Sequence, residues 1–284
     1  MDPYIAGAQL IGKGAFGSVY RDGDIAIKKI CKDEYGEREA KVLYQISQIP
    51  RIERYATRIH DIKKSDVYKC FYIYMDFIDG DSLESQIRTM DCTQVMDTMI
   101  HLLNGLALIH NTGIVHRDIK PDNIVVDENG LPKYIDFGLA CFINDPECLE
   151  RAEGTPSYMS PERIRQVTGD IKSDIWALGV AFYRMMSSER IRQVTGDIDQ
   201  KNVKSDIWAL GVVFYRMLNY GMLPFFGKDT TSYFRSVLMN QVVSDSDCEN
   251  LDSIVEAMLE KDYLLRPTIP ELIQMIKEAK QSHQ

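Results

Sequence analysis

Over the first thirty residues, short apolar stretches alternate with polar positions and glycine-rich breaks, the pattern of strands joined by turns. Ile25-Ala26-Ile27-Lys28-Lys29-Ile30 is the clearest strand, and its period of two puts Ala26 and Lys28 on one face. The period then lengthens. Residues 36–47 (GEREAKVLYQIS) predict a helix whose inward face carries Glu39 and, four residues on, Leu43. Glu37 reads as a solvated charge on the same helix, the second choice for an inward acid. Phe71 to Gly80 reads as a further strand leading into a link. Residues 93–112 then show helical spacing that stops near Gly113.

Two places break these patterns in ways that suggest chemistry. Ile11 to Tyr20 (IGKGAFGSVY) sets Gly12, Gly14 and Gly17 in a G-x-G-x-x-G-x-V arrangement. Glycines let backbone N–H groups come close to phosphate oxygens, though three in six residues also suit a plain hairpin. A dinucleotide-binding turn needs a helix directly after its last glycine; here Ser18-Val19-Tyr20 reads as strand, so the segment predicts a hairpin lying over a nucleotide. Lys28, in an apolar strand, is either an edge gatekeeper or a point charge for phosphates held by Glu39. The second place is Ile114 to Val126, where His116, Arg117, Asp118, Lys120, Asp122 and Asn123 stand between two short apolar runs. An Asp in such a loop can accept a hydroxyl proton, and a Lys two residues on can neutralise a migrating phosphoryl group. An Asn five residues on can give an oxygen to Mg²⁺, and Asp136-Phe137-Gly138 offers a second Mg²⁺ carboxylate.

Composition narrows the partners. The chain has 284 residues, 45% of them hydrophobic, enough for a sizeable core in one large domain or two lobes. Its net charge of −9 argues against nucleic acid or an anionic membrane as the main partner, since both reward a basic face. No apolar stretch of about 18 residues predicts a membrane span. The start, MDPYIAGAQL, lacks the basic region and apolar run of a signal peptide. The six cysteines form no C-x-x-C pair and read as reduced thiols in a cytoplasmic protein.

Taken in order, the glycine loop, the strand lysine of Ile25-Ala26-Ile27-Lys28, H-R-D (His116 to Asp118), D-F-G (Asp136 to Gly138) and Ser160-Pro161-Glu162 resemble the eukaryotic-type protein kinases over essentially the whole chain. The resemblance implies a two-lobed α+β fold: a small antiparallel-sheet lobe (about 1–77) and a larger, mainly helical lobe (about 78–284). It implies ATP and Mg²⁺. Asp118 would orient the substrate hydroxyl and accept its proton, Lys120 would stabilise the transferring phosphoryl, Asn123 and Asp136 would bind Mg²⁺, and Lys28 paired with Glu39 would hold the α/β-phosphates. Residues Ile11, Gly12, Lys13, Gly14, Ala15, Phe16, Gly17 and Ser18 would cover the phosphates. Val19, Ala26 and Val125 would sandwich the adenine, backbone groups of Asp76 and Ile78 would bond it, and Met75 would stand behind it. His116, with Leu43, Ile59 and Phe137, would form a stacked column rather than act as a base.

Lys120 in D-I-K-P-D-N and Gly154-Thr155-Pro156 suit a serine/threonine kinase, with Thr155 able to bond Asp118 and Lys120. Asp122 and the negative net charge suggest protein substrates with basic residues. Glu162 is expected to pair with Arg266. Residues 139–154 (LACFINDPECLERAEG) contain no Ser, Thr or Tyr, so no loop phosphate can pair with Arg117 there, and Glu147, Glu150 or Glu153 is the expected substitute anion. Peptide-docking residues 154–162 argue against a small-molecule kinase.

Residues 160–186 recur as 187–218. Apart from the inserted Asp199 to Val203, three of 27 aligned positions differ. Only one copy can supply the central helix of the large lobe, whose Asp would hold the H-R-D loop: Asp174 with Trp176, or Asp206 with Trp208. The second copy is favoured because it runs straight into Tyr220-Gly221-Met222-Leu223-Pro224-Phe225. The surplus copy would expose an amphipathic helix to a partner or to a second copy of the chain. A kinase impaired by this repeat is the alternative function.

Overall fold

The computed structural model describes residues 2–14, 17–151, 153–167 and 194–282. The N-terminal strands are β1 (Gln9–Lys13), β2 (Ser18–Asp22), β3 (Ile25–Ile30), β4 (Ile59–Ser65) and β5 (Cys70–Asp76). They form one antiparallel sheet in the order β1-β2-β3-β5-β4. Gly17 is needed where the β1–β2 hairpin returns: a Cβ there would lie 2.2 Å from the Lys29 carbonyl oxygen. Helix α1 (Asp33–Ser47) crosses the sheet and buries Glu39, Ala40, Val42, Leu43 and Ile46. It begins three residues before the apolar pattern does, because Asp33 and Glu34 in the first turn favour the positive end of the helix dipole.

After β6 (Gly80–Ser82) and the short α2 (Leu83–Gln86), the chain becomes mainly helical. Helix α3 (Cys92–His110) starts at a capping box, in which the Asp91 side chain accepts from Gln94 N and the Gln94 side chain accepts from Asp91 N. Strands β7 (Ile114–Val115), β8 (Ile124–Asp127), β9 (Pro132–Tyr134) and β10 (Cys141–Phe142) form two small sheets, β6-β8-β9 and β10-β7, that hold the polar run between them. Helices α4 (Pro146–Leu149), α5 (Pro161–Val167), α6 (Val194–Leu218), α7 (Thr230–Met239), α8 (Glu249–Met258) and α9 (Ile269–Ser282) complete the described chain. None of the described helices is long and apolar enough to cross a membrane.

The duplicated segment is used in parts. Helix α5 comes from the first copy, and the central helix α6 comes from the second. Residues 168–193, Asp174 and Trp176 among them, lie outside the described residues. In α6, Trp208 is fully buried and stacks on Phe225 with ring centroids 5.7 Å apart, while Ile207, Leu210, Val212, Val213 and Phe214 are each buried in the main core. Side chains of this kind contribute about 1.5–3 kcal/mol each when fully buried, so α6 is a substantial part of the core of the helical part. The core is continuous from Leu43 and Ile73 under the sheet, through Phe137, to Trp208 and Val255.

The cysteines do not stay single. The structure pairs Cys31 with Cys70, Cys92 with Cys248 and Cys141 with Cys148, which corrects the expectation of six free thiols. The spacing hid this because the fold makes the pairs. Ile30 and Phe71 are opposite each other in the β3–β5 register, so the next residue on one strand and the preceding one on the other, Cys31 and Cys70, meet although 39 positions apart.

Candidate active site

Lys28 stands at the centre of β3, with its Nζ 2.6 Å from a Glu39 oxygen and 2.7 Å from an Asp136 oxygen. All three come from different elements, and the helical period of α1 is what turns Glu39 toward β3. Burial works against the Lys28 charge, but the two carboxylates outweigh it and hold its pKa above the ordinary lysine value. Burial also opposes the Asp136 charge, yet Lys28 and the Gly138 N–H bring its pKa down to about 2. Glu37 instead faces solvent and pairs with Lys41 one turn along the helix.

The loop between β7 and β8 gathers the second cluster. Asp118 accepts from the Thr155 hydroxyl at 2.7 Å and the Thr155 N–H at 3.1 Å, and pairs with Lys120 Nζ at 2.9 Å. Lys120 also donates to the Thr155 hydroxyl at 2.9 Å. Asn123 Nδ2 donates to the Asp118 carbonyl at 2.9 Å and to its carboxylate at 3.0 Å. This leaves Asn123 Oδ1 for another ligand. The His116 ring lies 5.0 Å from the Phe137 ring, and burial keeps its pKa below the ordinary imidazole value, so it is a neutral packing group here.

Arg117 adopts a left-handed backbone with φ of 68°, a conformation that costs about 1–3 kcal/mol and needs outside support. Asp206 of α6 supplies it: its carboxylate accepts from His116 N at 2.7 Å, from Arg117 N at 2.9 Å and from His110 Nε2 at 2.9 Å. At the start of α5, Glu162 meets Arg266 through two bonds of 2.7 Å. Ser160 bonds Ser205, and Ser205 donates to Glu162.

The positions expected around a nucleotide come from β1, β2, β3 and β5 of the five-stranded sheet, from the link after β5 and from β8. Ile11, Gly12, Lys13 and Gly14 are on or just past β1, and the Gly14 N–H donates to the Gly17 carbonyl, closing the hairpin that leads to Ser18. Ala15 and Phe16 lie outside the described residues. Ala26 and Met75 are register partners, both buried, with Val19 packed against the same core. Val125 lies on β8. Asp76 already uses its carbonyl for the Thr57 hydroxyl at 3.0 Å and its N–H for the Arg58 carbonyl, so one carbonyl lone pair remains for a ligand, while Ile78 comes next in the link.

A second expectation is overturned. Among the described residues no glutamate carboxylate takes the Arg117 guanidinium: it donates to the carbonyls of Cys148 and Arg151 and to Cys141 Sγ. Glu147 and Glu150 are exposed, and Glu153 bonds the Tyr35 hydroxyl and lies 3.7 Å from Arg38. Sequence reasoning misses Arg163, whose guanidinium donates to the Arg117 and Glu153 carbonyls and ties α5 to the loop between β7 and β8. Only its nearness to Glu162 could point to it.

A glycine hairpin beside a strand lysine held by a helix glutamate, above a loop with paired Asp and Lys, defines a nucleotide-dependent phosphotransfer fold. The family model for the protein kinase domain matches residues 6–204, more than half the chain, and the chain belongs to that family. It is 36% identical over 208 residues to the probable serine/threonine-protein kinase nek2 of Dictyostelium discoideum, covering 65% of this chain and 48% of that protein. It is 31% identical over 204 residues to the probable serine/threonine-protein kinase PknB of Bifidobacterium longum, covering 63% and 29%. It is 30% identical over 187 residues to the serine/threonine-protein kinase ppk11 of Schizosaccharomyces pombe, covering 62% and 60%. The aligned region is about half the length of the first relative and under a third of the second.

Proposed function

We propose that this chain transfers the γ-phosphoryl group of ATP to serine and threonine hydroxyls of proteins. The observation that carries the reading is the Asp118–Lys120–Thr155 cluster joined to Asn123, beside a Lys28 already paired with Glu39 and Asp136. Asp118 would orient the substrate hydroxyl and take its proton. Lys120 would balance charge on the transferring group, and Thr155 would hold both in place. Lys28, fixed by Glu39, would hold the α/β-phosphates, with N–H groups of the Gly12–Gly17 hairpin above them. Adenine would lie between Val19 and Ala26 on one side and Val125 on the other.

The donor set fits Mg²⁺. Asp136 and Asn123 offer two hard side-chain oxygen donors. That suits a cation which takes one or two protein ligands and completes its shell with water and phosphate. Bound there, Mg²⁺ supplies neutralisation of charge on the phosphate oxygens. Transfer proceeds through a loose transition state, so these residues act by position and electrostatics rather than by covalent chemistry.

Asp122 is exposed beside Asn123 and supports a preference for basic substrate residues. The surplus repeat copy remains the candidate surface for a partner or for self-association. The need for ATP favours the cytoplasm as the site of action. Disturbance by the repeat is not supported as a reason for impairment, because Asp206 is bonded to the catalytic loop.

Incubation with labelled ATP, Mg²⁺ and a basic protein, followed by acid hydrolysis, tests substrate class. Labelled phosphoserine or phosphothreonine is expected. Label found only in phosphotyrosine would overturn the assignment.

A further inference from the structure

Arg117 is buried, and burial together with nearby Arg163 lowers its pKa to about 9. Its guanidinium is held by the segment just after D-F-G. One Nη donates to Cys141 Sγ at 2.8 Å and to the Cys148 carbonyl at 2.7 Å, and the other donates to the Arg151 carbonyl at 2.6 Å. A covalent bond joins the two cysteines that flank these contacts, closing a ring across a separation of 7 residues.

The chain beyond this ring touches both halves of the site. Arg151 bonds Glu34, and Glu153 bonds Tyr35 and lies near Arg38; all three partners are on α1, the helix that aims Glu39 at Lys28. Two residues further, Thr155 bonds Asp118. The segment from Cys141 to Arg151, which contains no Ser, Thr or Tyr, is thus tied by a sulfur–sulfur bond and by Arg117, and Arg163 holds the Glu153 carbonyl just beyond it.

We propose that Cys141 and Cys148 form a thiol–disulfide switch that sets the order of the segment from Cys141 to Arg151, the bonded form being the ordered one. On the phosphotransfer reading, on which this part rests, the bonded form is also the active one. The chemistry is a two-electron exchange with a dithiol. A thiolate of the dithiol attacks one cysteine sulfur, the S–S bond breaks, and the other cysteine leaves as a thiolate that takes up a proton. The second thiol of the reductant then displaces the first cysteine, giving two protein thiols and an oxidised cyclic disulfide. Both sulfurs are buried against Val115 and Leu149, so attack requires the segment to open first. After reduction the two small side chains keep that apolar contact, so the fold persists while the ring constraint is lost. Closing a ring of this size restricts the open chain by roughly 50-fold in the chain-entropy model.

The other two pairs are poorly placed for this role. Cys31–Cys70 joins β3 to β5, which are already hydrogen-bonded neighbours. Cys92–Cys248 joins the start of α3 to the start of α8, away from Asp118 and Lys28.

The test compares the wild-type chain, a variant retaining only this pair (C31S/C70S/C92S/C248S) and C141S/C148S. Each is equilibrated with oxidised or reduced dithiothreitol, and thiol state is read by alkylation and mass spectrometry. Cleavage after Arg151 by limiting trypsin reports segment order independently of activity. The first two proteins are expected to be cleaved at least fivefold more slowly when oxidised, and to transfer phosphate at least tenfold faster. C141S/C148S should match the reduced rates under both conditions. Equal cleavage in both redox states, or free Cys141 and Cys148 after oxidation, would overturn the switch. Redox-dependent cleavage without transfer in either state would support the switch and count against the phosphotransfer reading.

Discussion

Asp206 offers the sharpest perturbation, because an almost identical residue context surrounds Asp174. Replacing Asp206 by alanine removes the acceptor for two backbone N–H groups and for His110, at a site where Asp206 is 1% exposed. Each buried donor left without a partner costs about 1–3 kcal/mol, and bonds to a charged group lie at the upper end. The two backbone bonds alone therefore account for roughly 3–6 kcal/mol, against a total stability of about 5–15 kcal/mol. At about 2–4 °C per kcal/mol for a chain of this size, Asp206→Ala should lower the melting temperature by roughly 6–24 °C. Support for the left-handed Arg117 also goes, so phosphate transfer should fall further than stability does. Asp206→Asn keeps one acceptor oxygen and should fall between. Asp174→Ala should match the wild type. Calorimetry and phosphate transfer on the four proteins check this. Asp206→Ala behaving as wild type, or Asp174→Ala behaving as badly as Asp206→Ala, would refute the assignment of the second copy to the core.

Lys28→Met should reduce transfer by at least 100-fold and also lower the melting temperature, because it leaves Glu39 buried without its cation; steady-state kinetics and calorimetry separate the two effects. Arg266→Ala should cost about 3–5 kcal/mol in urea unfolding by stranding Glu162, while Glu162→Gln with Arg266→Met should cost less than the single change. The Asp136 pKa is depressed from 3.8 to about 2, so its contribution to stability is complete above pH 3.8 and is lost as pH falls toward 2; acid unfolding of Asp136→Asn should lack that component. Thr155→Val should lower transfer at least tenfold with little change in melting temperature, since it removes a half-buried hydroxyl that joins Asp118 to Lys120.

Much of the fold is readable because local pattern and tertiary demand agree. The alternation at Ala26 and Lys28 becomes the β3 face, and the four-residue spacing of Glu39 and Leu43 becomes the buried side of α1. In the polar run from His116 to Asn123 the residue types are plain in the sequence and the roles come from the resemblance; the structure brings Asp118, Lys120 and Asn123 within hydrogen-bond reach of one another or of Thr155. The cysteine pairs are hidden because strand register and helix packing, not spacing, bring the sulfurs together. The partners of Arg117 are hidden for a related reason. A carboxylate is the partner that charge alone suggests, whereas the segment presents carbonyl oxygens whose direction depends on the turn from Cys148 to Arg151. For the repeat, composition is silent, and only continuity with Tyr220 to Phe225 distinguishes one copy from the other.

Asp118, as the group that takes the hydroxyl proton, is the central assignment. The most direct measurement is the rate of labelled γ-phosphate transfer from ATP–Mg²⁺ to a serine/threonine-containing protein, for the wild type and for Asp118→Asn side by side. Transfer by the wild type, reduced at least 100-fold in a variant that keeps the same melting temperature within a few degrees, is the expected result. Wild-type transfer no greater than that of Asp118→Asn would contradict it.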